Sequence, residues 1–151
     1  MKKQFALLTL LLSAVLAVSS AFAATEKEKA FTDSYKKAFE AKDEAALKGL
    51  LYTKGADPEI VEFFTMMVTG DLGNKLSSIE LRDLTAEEVK KAAEVQPSPS
   101  GGKVALLVKP SKKLVLKTST GDANGSSTGT SETFVAEVDG KYVIPVPGPV
   151  K

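Results

Sequence analysis

The chain has 151 residues, 43% of them apolar and 26% charged, the balance of an ordinary globular domain, with a formal charge of +1. It contains no cysteine and no histidine. That excludes disulfide staples, thiol chemistry, thiolate or imidazole metal sites and a lipid-modified cysteine anchor, while a charge so close to zero argues against nucleic acid as a partner.

Lys2 and Lys3, an apolar run from Phe5 to Val18 and the small-x-small ending Ala21-Phe22-Ala23 give residues 1–23 the form of a secretory signal peptide. The run is interrupted by Thr9 and Ser13 and falls short of the ~20 apolar residues that a spanning helix needs. Cleavage is therefore expected. It would leave a single domain over residues 24–151, periplasmic or secreted, with no membrane association; losing two lysines takes the formal charge from +1 to −1.

Thr25 and Glu28 form a capping box that opens a first helix, in which Phe31, Ser34, Tyr35, Ala38 and Phe39 gather on one face. Asp43 is an N-cap for a shorter helix with Leu47, Leu50 and Leu51, followed by a break over Thr53 to Ala56. Asp57-Pro58 starts a third helix that Gly70 stops. Its Ile60, Val61, Phe63, Phe64, Met66, Met67 and Val68 span more arc than one buried face needs, which suggests cover on two sides.

Lys75 to Leu84 alternates as a half-buried strand, and a second capping box, Thr85 and Glu88, opens a short helix that ends before the loop Pro97 to Gly102. Val104 to Val108 is apolar on both faces, as a central strand would be, and Leu114 to Leu116 continues the sheet. Thr118 to Ser131 is too polar to bury a core and reads as a flexible hairpin tip or a polar extension of two strands. Asp139-Gly140 is a type I′ hairpin signal that pairs Glu137 with Tyr142 and Val138 with Lys141. Pro145, Pro147 and Pro149 then exclude a central ladder position and leave a tail.

This order is α+β, with helices grouped on one side of an antiparallel sheet. Phe31-x3-Tyr35-x3-Phe39, Asp43-Glu44-Ala45-Ala46-Leu47 and Asp139-Gly140-Lys141-Tyr142-Val143-Ile144 resemble the nuclear transport factor 2-like (cystatin-like) superfamily, and in particular its small exported members without known activity. The resemblance implies a strongly curved sheet that, with the helices, encloses a conical pocket. In that pocket Tyr35, Glu137 and Tyr142 would be polar groups among Phe31, Phe39, Phe64 and Ile144.

Three functions follow from these residues. The first is a non-enzymatic exported domain that binds a small, partly apolar ligand in the pocket. The second is an isomerase- or cyclase-like enzyme, disfavoured because Asp57 is already explained as an N-cap and histidine is absent. The third is a structural module with a filled core whose sheet forms a homodimer. No cofactor or metal is expected: Asp122-Ala123-Asn124-Gly125 reads as a polar turn rather than a calcium loop. Lys109, Lys112, Lys113 and Lys117 read as a solvated strand edge.

Overall fold

The computed structural model describes residues 24–151, so the leader expected over residues 1–23 lies outside the described residues. The fold is α+β. In chain order the elements are α1 (Glu26–Glu40), α2 (Glu44–Lys48), β1 (Leu51–Tyr52), α3 (Pro58–Thr69), β2 (Lys75–Asp83), α4 (Ala86–Ala92), β3 (Gln96–Pro97), β4 (Lys103–Ala105), β5 (Lys112–Asp122), β6 (Gly125–Val138), β7 (Lys141–Pro145) and β8 (Gly148–Pro149). Among the described residues no helix is long and apolar enough to cross a membrane.

Helix starts follow their caps. The Thr25 hydroxyl accepts from the Glu28 N–H while the Glu28 carboxylate accepts from the Thr25 N–H, and Thr85 with Glu88 repeats the arrangement. Each box satisfies two otherwise free backbone donors, which is why both helices begin where they do. Asp43 caps α2 through the Ala46 N–H.

A five-stranded sheet has the order β1-β7-β6-β5-β2, and a second sheet the order β3-β4-β8. The large sheet is mixed rather than antiparallel throughout, because β1 runs parallel to β7. A two-residue strand carries no periodicity, so β1 falls in a stretch that its sequence shows only as the end of a helix and a break.

Alternation along β5 assigns the helices to faces. Lys112 meets Glu28 of α1, at 2.6 Å, whereas the next residue, Lys113, meets Glu88 of α4. Successive strand residues point to opposite sides, so α1 and α4 cover opposite faces and the helices are not all on one side. On the α1 face, Leu114 and Leu116 pair with Leu81 and Ile79 of β2, and with Val135 and Ile144 they meet Phe31, Tyr35 and Phe39. Fully burying a side chain of this size stabilises by about 1.5–3 kcal/mol, so this layer carries most of the fold.

Of the lysine cluster, Lys109 and Lys117 are exposed, but Lys112 and Lys113 are not on a solvated edge. β5 lies between β6 and β2, where Lys112 bridges Glu28 and Asp83 and Lys113 bridges Glu88 and Glu132. The Lys112 ammonium is stabilised by the hydrogen bonds it donates to Asp83 and Glu28, which raise its pKa, while Lys112 and the Thr25 N–H hold the Glu28 carboxyl below its usual range. Lys113 holds Glu88 down at about 2.

One further expectation is corrected, and an alternative left open is decided. Of the apolar run Val104 to Val108 only Val104 and Ala105 are strand, within β4 at the centre of the small sheet, and Leu107 is 44% exposed. Residues 118–131 are the polar extension of two strands, paired continuously from Thr118↔Gly129 to Asp122↔Gly125. The proline-rich tail, too, becomes an edge strand, β8, on β4. Gly148 is required there, because a Cβ would fall on the Gly55 carbonyl oxygen and 2.6 Å from Leu107 Cδ1.

The last hairpin has Glu137↔Tyr142 and Val138↔Lys141, with Asp139 at φ 50° and Gly140 at φ 77°. A β-branched side chain is strained at positive φ. Gly140→Val is therefore expected to lower stability by about 1–2 kcal/mol, read as a shifted urea midpoint at constant slope.

Candidate functional site

The helical phase of α1 turns Phe31, Tyr35 and Phe39 toward the sheet, and the hairpin register turns Tyr142, Ile144 and Glu137 toward α1. Phe31 lies 6.5 Å from Tyr35 and 6.4 Å from Tyr142 by ring centroid, and Tyr35 stacks on Phe39 at 6.4 Å. Tyr35 and Phe39 are each 2% exposed and Ile144 is 0% exposed. These side chains fill the space beneath α1 with one another.

Burial pushes the Tyr35 phenol up to about 12, with the Asp71 charge adding to it, so at neutral pH it is a neutral hydroxyl in the core. Burial likewise raises the half-buried Tyr142 phenol. Glu137 stands at the exposed rim in an ion pair with Lys27, whose ammonium it stabilises. The three polar groups are thus on one face, but two are set among packed rings and the third faces water.

Phe64 is placed differently. It packs against the core from α3, and its open side lines a set of clefts bounded by the small sheet and the outer face of the large one. One cleft, of about 310 Å³, lies between α3 and the β3–β4 hairpin, with Phe63, Phe64, Pro97, Pro99, Val104 and Pro147 as apolar walls and Glu59 and Gln96 as polar groups. A second, of about 190 Å³, shares Phe64, Gln96, Val104 and Pro147 with it and extends to Ala92, Leu106 and Phe134. A hollow of about 490 Å³ continues from Ala92 and Leu106 between α4 and residues 107–110. Shared walls make these one apolar depression.

Phe63 and Met67 of α3 border these clefts in water, 57% and 37% exposed, and Met66 between them in sequence is 64% exposed. The wide apolar arc of this helix is therefore not covered on two sides. Phe63 meets Phe64 edge to face at 6.1 Å, and both rings line the cleft.

Asp57 fixes the cleft's far wall. Its Oδ1 accepts from the Glu59 and Ile60 N–H groups at 3.0 and 3.4 Å, the N-cap expected of it. Its Oδ2 also accepts from the hydroxyls of Ser98 and Ser100 at 3.1 and 2.9 Å. The Ser100 hydroxyl is the main reason its carboxyl titrates below the usual range. A single buried carboxylate so ties the tip of the β3–β4 hairpin to the start of α3. The carboxylate is held by four donors, two of them serine hydroxyls, and acts here as both helix cap and hairpin tether.

The signal for this site in the sequence was the excess apolar arc of α3. Pro97, Pro99 and Pro147 gave none, because they are brought to the cleft by a hairpin and a tail without periodicity.

No protein-family model matches the chain, and no curated protein matches it. A solved structure similar to it is the solution structure of a SEC-C motif containing protein from Rhodopseudomonas palustris, 12% identical over 77% of this chain and 73% of that one, with a TM-score of 0.32. A likeness of that size says nothing about the role of either chain.

Proposed function

We propose that this is an exported, non-enzymatic domain that binds a small, partly apolar ligand in the cleft between α3 and the β3–β4 hairpin. The observation that carries the reading is the half-exposed Phe63 beside Phe64 at a cleft of about 310 Å³, walled by prolines and Val104 with Glu59 and Gln96 at hand. Ligand sites are typically concave, mostly apolar and from about 300 Å³ upward, with a few polar groups to orient the guest. Against such walls the ligand's apolar part lies on the two rings, and its polar end reaches Glu59 or Gln96. The conical pocket of the superfamily that the sequence resembles would lie beneath α1, where Tyr35, Phe39 and Ile144 are packed; the packing favours the α3 side instead. Export rests on the leader-like pattern of residues 1–23.

Native mass spectrometry of protein purified from its own host, followed by titration with the apolar dye anilinonaphthalene sulfonate, tests this. A retained small molecule and saturable dye binding are expected. Phe63→Ser removes an exposed ring, so folding should stay within ~0.5 kcal/mol, while dye affinity should fall about tenfold from the lost apolar contact. Binding that is weakened by Tyr142→Phe and untouched by Phe63→Ser would instead put the ligand under α1. Absence of both ligand and dye binding would leave the filled-core interaction module as the function.

A further inference from the structure

A sheet edge is a row of unused backbone donors and acceptors, and proteins usually blunt it with charge, proline, bulges or brevity. Most edges of this molecule are blunted in those ways. β2 carries Lys75, Glu80, Arg82 and Asp83 and a bulge between Leu76 and Ser78; β1 has two residues; β3 and β8 contain Pro97 and Pro149.

β6 differs. β5 pairs along one side of it from Gly125 to Val135, but on the other side β7 meets it only over Ala136 to Val138. Residues 125–131, Gly-Ser-Ser-Thr-Gly-Thr-Ser, have no charge and no proline, are exposed as far as Thr130, and among the described residues face no strand on that side. β2 ends its pairing with β5 at Ser119, so the arm also projects beyond the rest of the sheet.

We propose that two copies of this chain join along this edge, β6 against β6, antiparallel about a two-fold axis at Thr128. The register follows from symmetry: Thr128 faces its own copy, Ser127 faces Gly129, Ser126 faces Thr130 and Gly125 faces Ser131. Every cross-strand pair is small and uncharged, Ser and Thr hydroxyls can bond across the seam, and like charges never meet. In this register the partner's turn reaches the level of Glu132, where Met67 of α3 stands exposed at the same cleft. A foreign strand would find neither charge nor an apolar pocket to select it, only backbone groups. An identical copy supplies the same surface twice, and a two-fold contact closes without leaving an edge for a third chain. A formal charge near zero leaves no long-range repulsion to overcome.

Sedimentation velocity on the protein as purified is expected to show a dimer. Ser126→Lys/Thr128→Lys/Thr130→Lys places lysine opposite lysine at the seam and should yield a monomer. Because the native chain lacks cysteine, Thr128→Cys gives one thiol per copy, which should form a covalent dimer under mild oxidation far faster than Ser34→Cys, an α1 position that is exposed despite its place beside Tyr35. The proposal is overturned if the native protein is monomeric at all accessible concentrations. It is equally overturned if a dimer persists in the triple variant and Thr128→Cys cross-links no faster than Ser34→Cys.

Discussion

Phe39→Ala is expected to lower the unfolding free energy by about 3–5 kcal/mol, the cost of losing a large ring and leaving a cavity that close-packed neighbours cannot collapse into. Phe39 is 2% exposed and stacked on Tyr35, and Leu47, Leu114 and Ile144 in the same cluster are fully buried, so few of its contacts are with movable side chains. Urea unfolding followed by circular dichroism reads the loss directly. Tyr35→Phe is the control, because it keeps the ring and should change stability by less than about 1 kcal/mol. A loss below about 1 kcal/mol for Phe39→Ala would mean that the space under α1 is loosely filled, and would return the ligand to the conical pocket.

Lys112→Met should cost about 2–3 kcal/mol near neutral pH, because it leaves the nearly buried Glu28 carboxylate without its cation and frees Asp83. The effect should depend on pH in a defined direction. Glu28 has a carboxyl pKa depressed below 4.5 in the folded protein, first by its hydrogen bond with Lys112; its contribution is present above 4.5 and lost as pH falls through the folded value. The Lys112 ammonium is raised above 10.5, so its contribution is present below 10.5 and lost as pH rises through the folded value. The gap between native and variant stability should therefore be widest on the neutral plateau and narrow in acid. Glu88, held at about 2, adds a native loss between pH 4.5 and about 2 that both proteins share. A gap independent of pH would show that Lys112 acts through packing of its alkyl stem alone.

Much of this molecule was legible from local chemistry. Capping boxes place helix starts because a Thr hydroxyl and a Glu carboxylate three residues apart satisfy backbone donors that nothing else can reach. Asp139-Gly140 determines the last hairpin and its register, since that turn demands two positive φ angles. The same register put Tyr142, Ile144 and Glu137 on one face, and the phase of α1 turned Tyr35 inward; that the two faces meet was implied only by the superfamily resemblance.

What local pattern did not carry was what lies against what. Lys112 and Lys113 look like surface lysines in any window of sequence; only the strand order puts them between acidic partners on opposite faces. Phe64 shares its apolar character with Phe31 and Phe39, yet α3 directs it to a cleft rather than to the space under α1. β1, β3 and β8 have two residues each, and such strands exist only because β7 and β4 offer them edges. Hydrogen bonding and torsional preference act over a few residues and are written locally, whereas burial and sheet pairing are settled between segments far apart in the chain. Whether a ring is core or cleft wall was therefore decided by the tertiary fold.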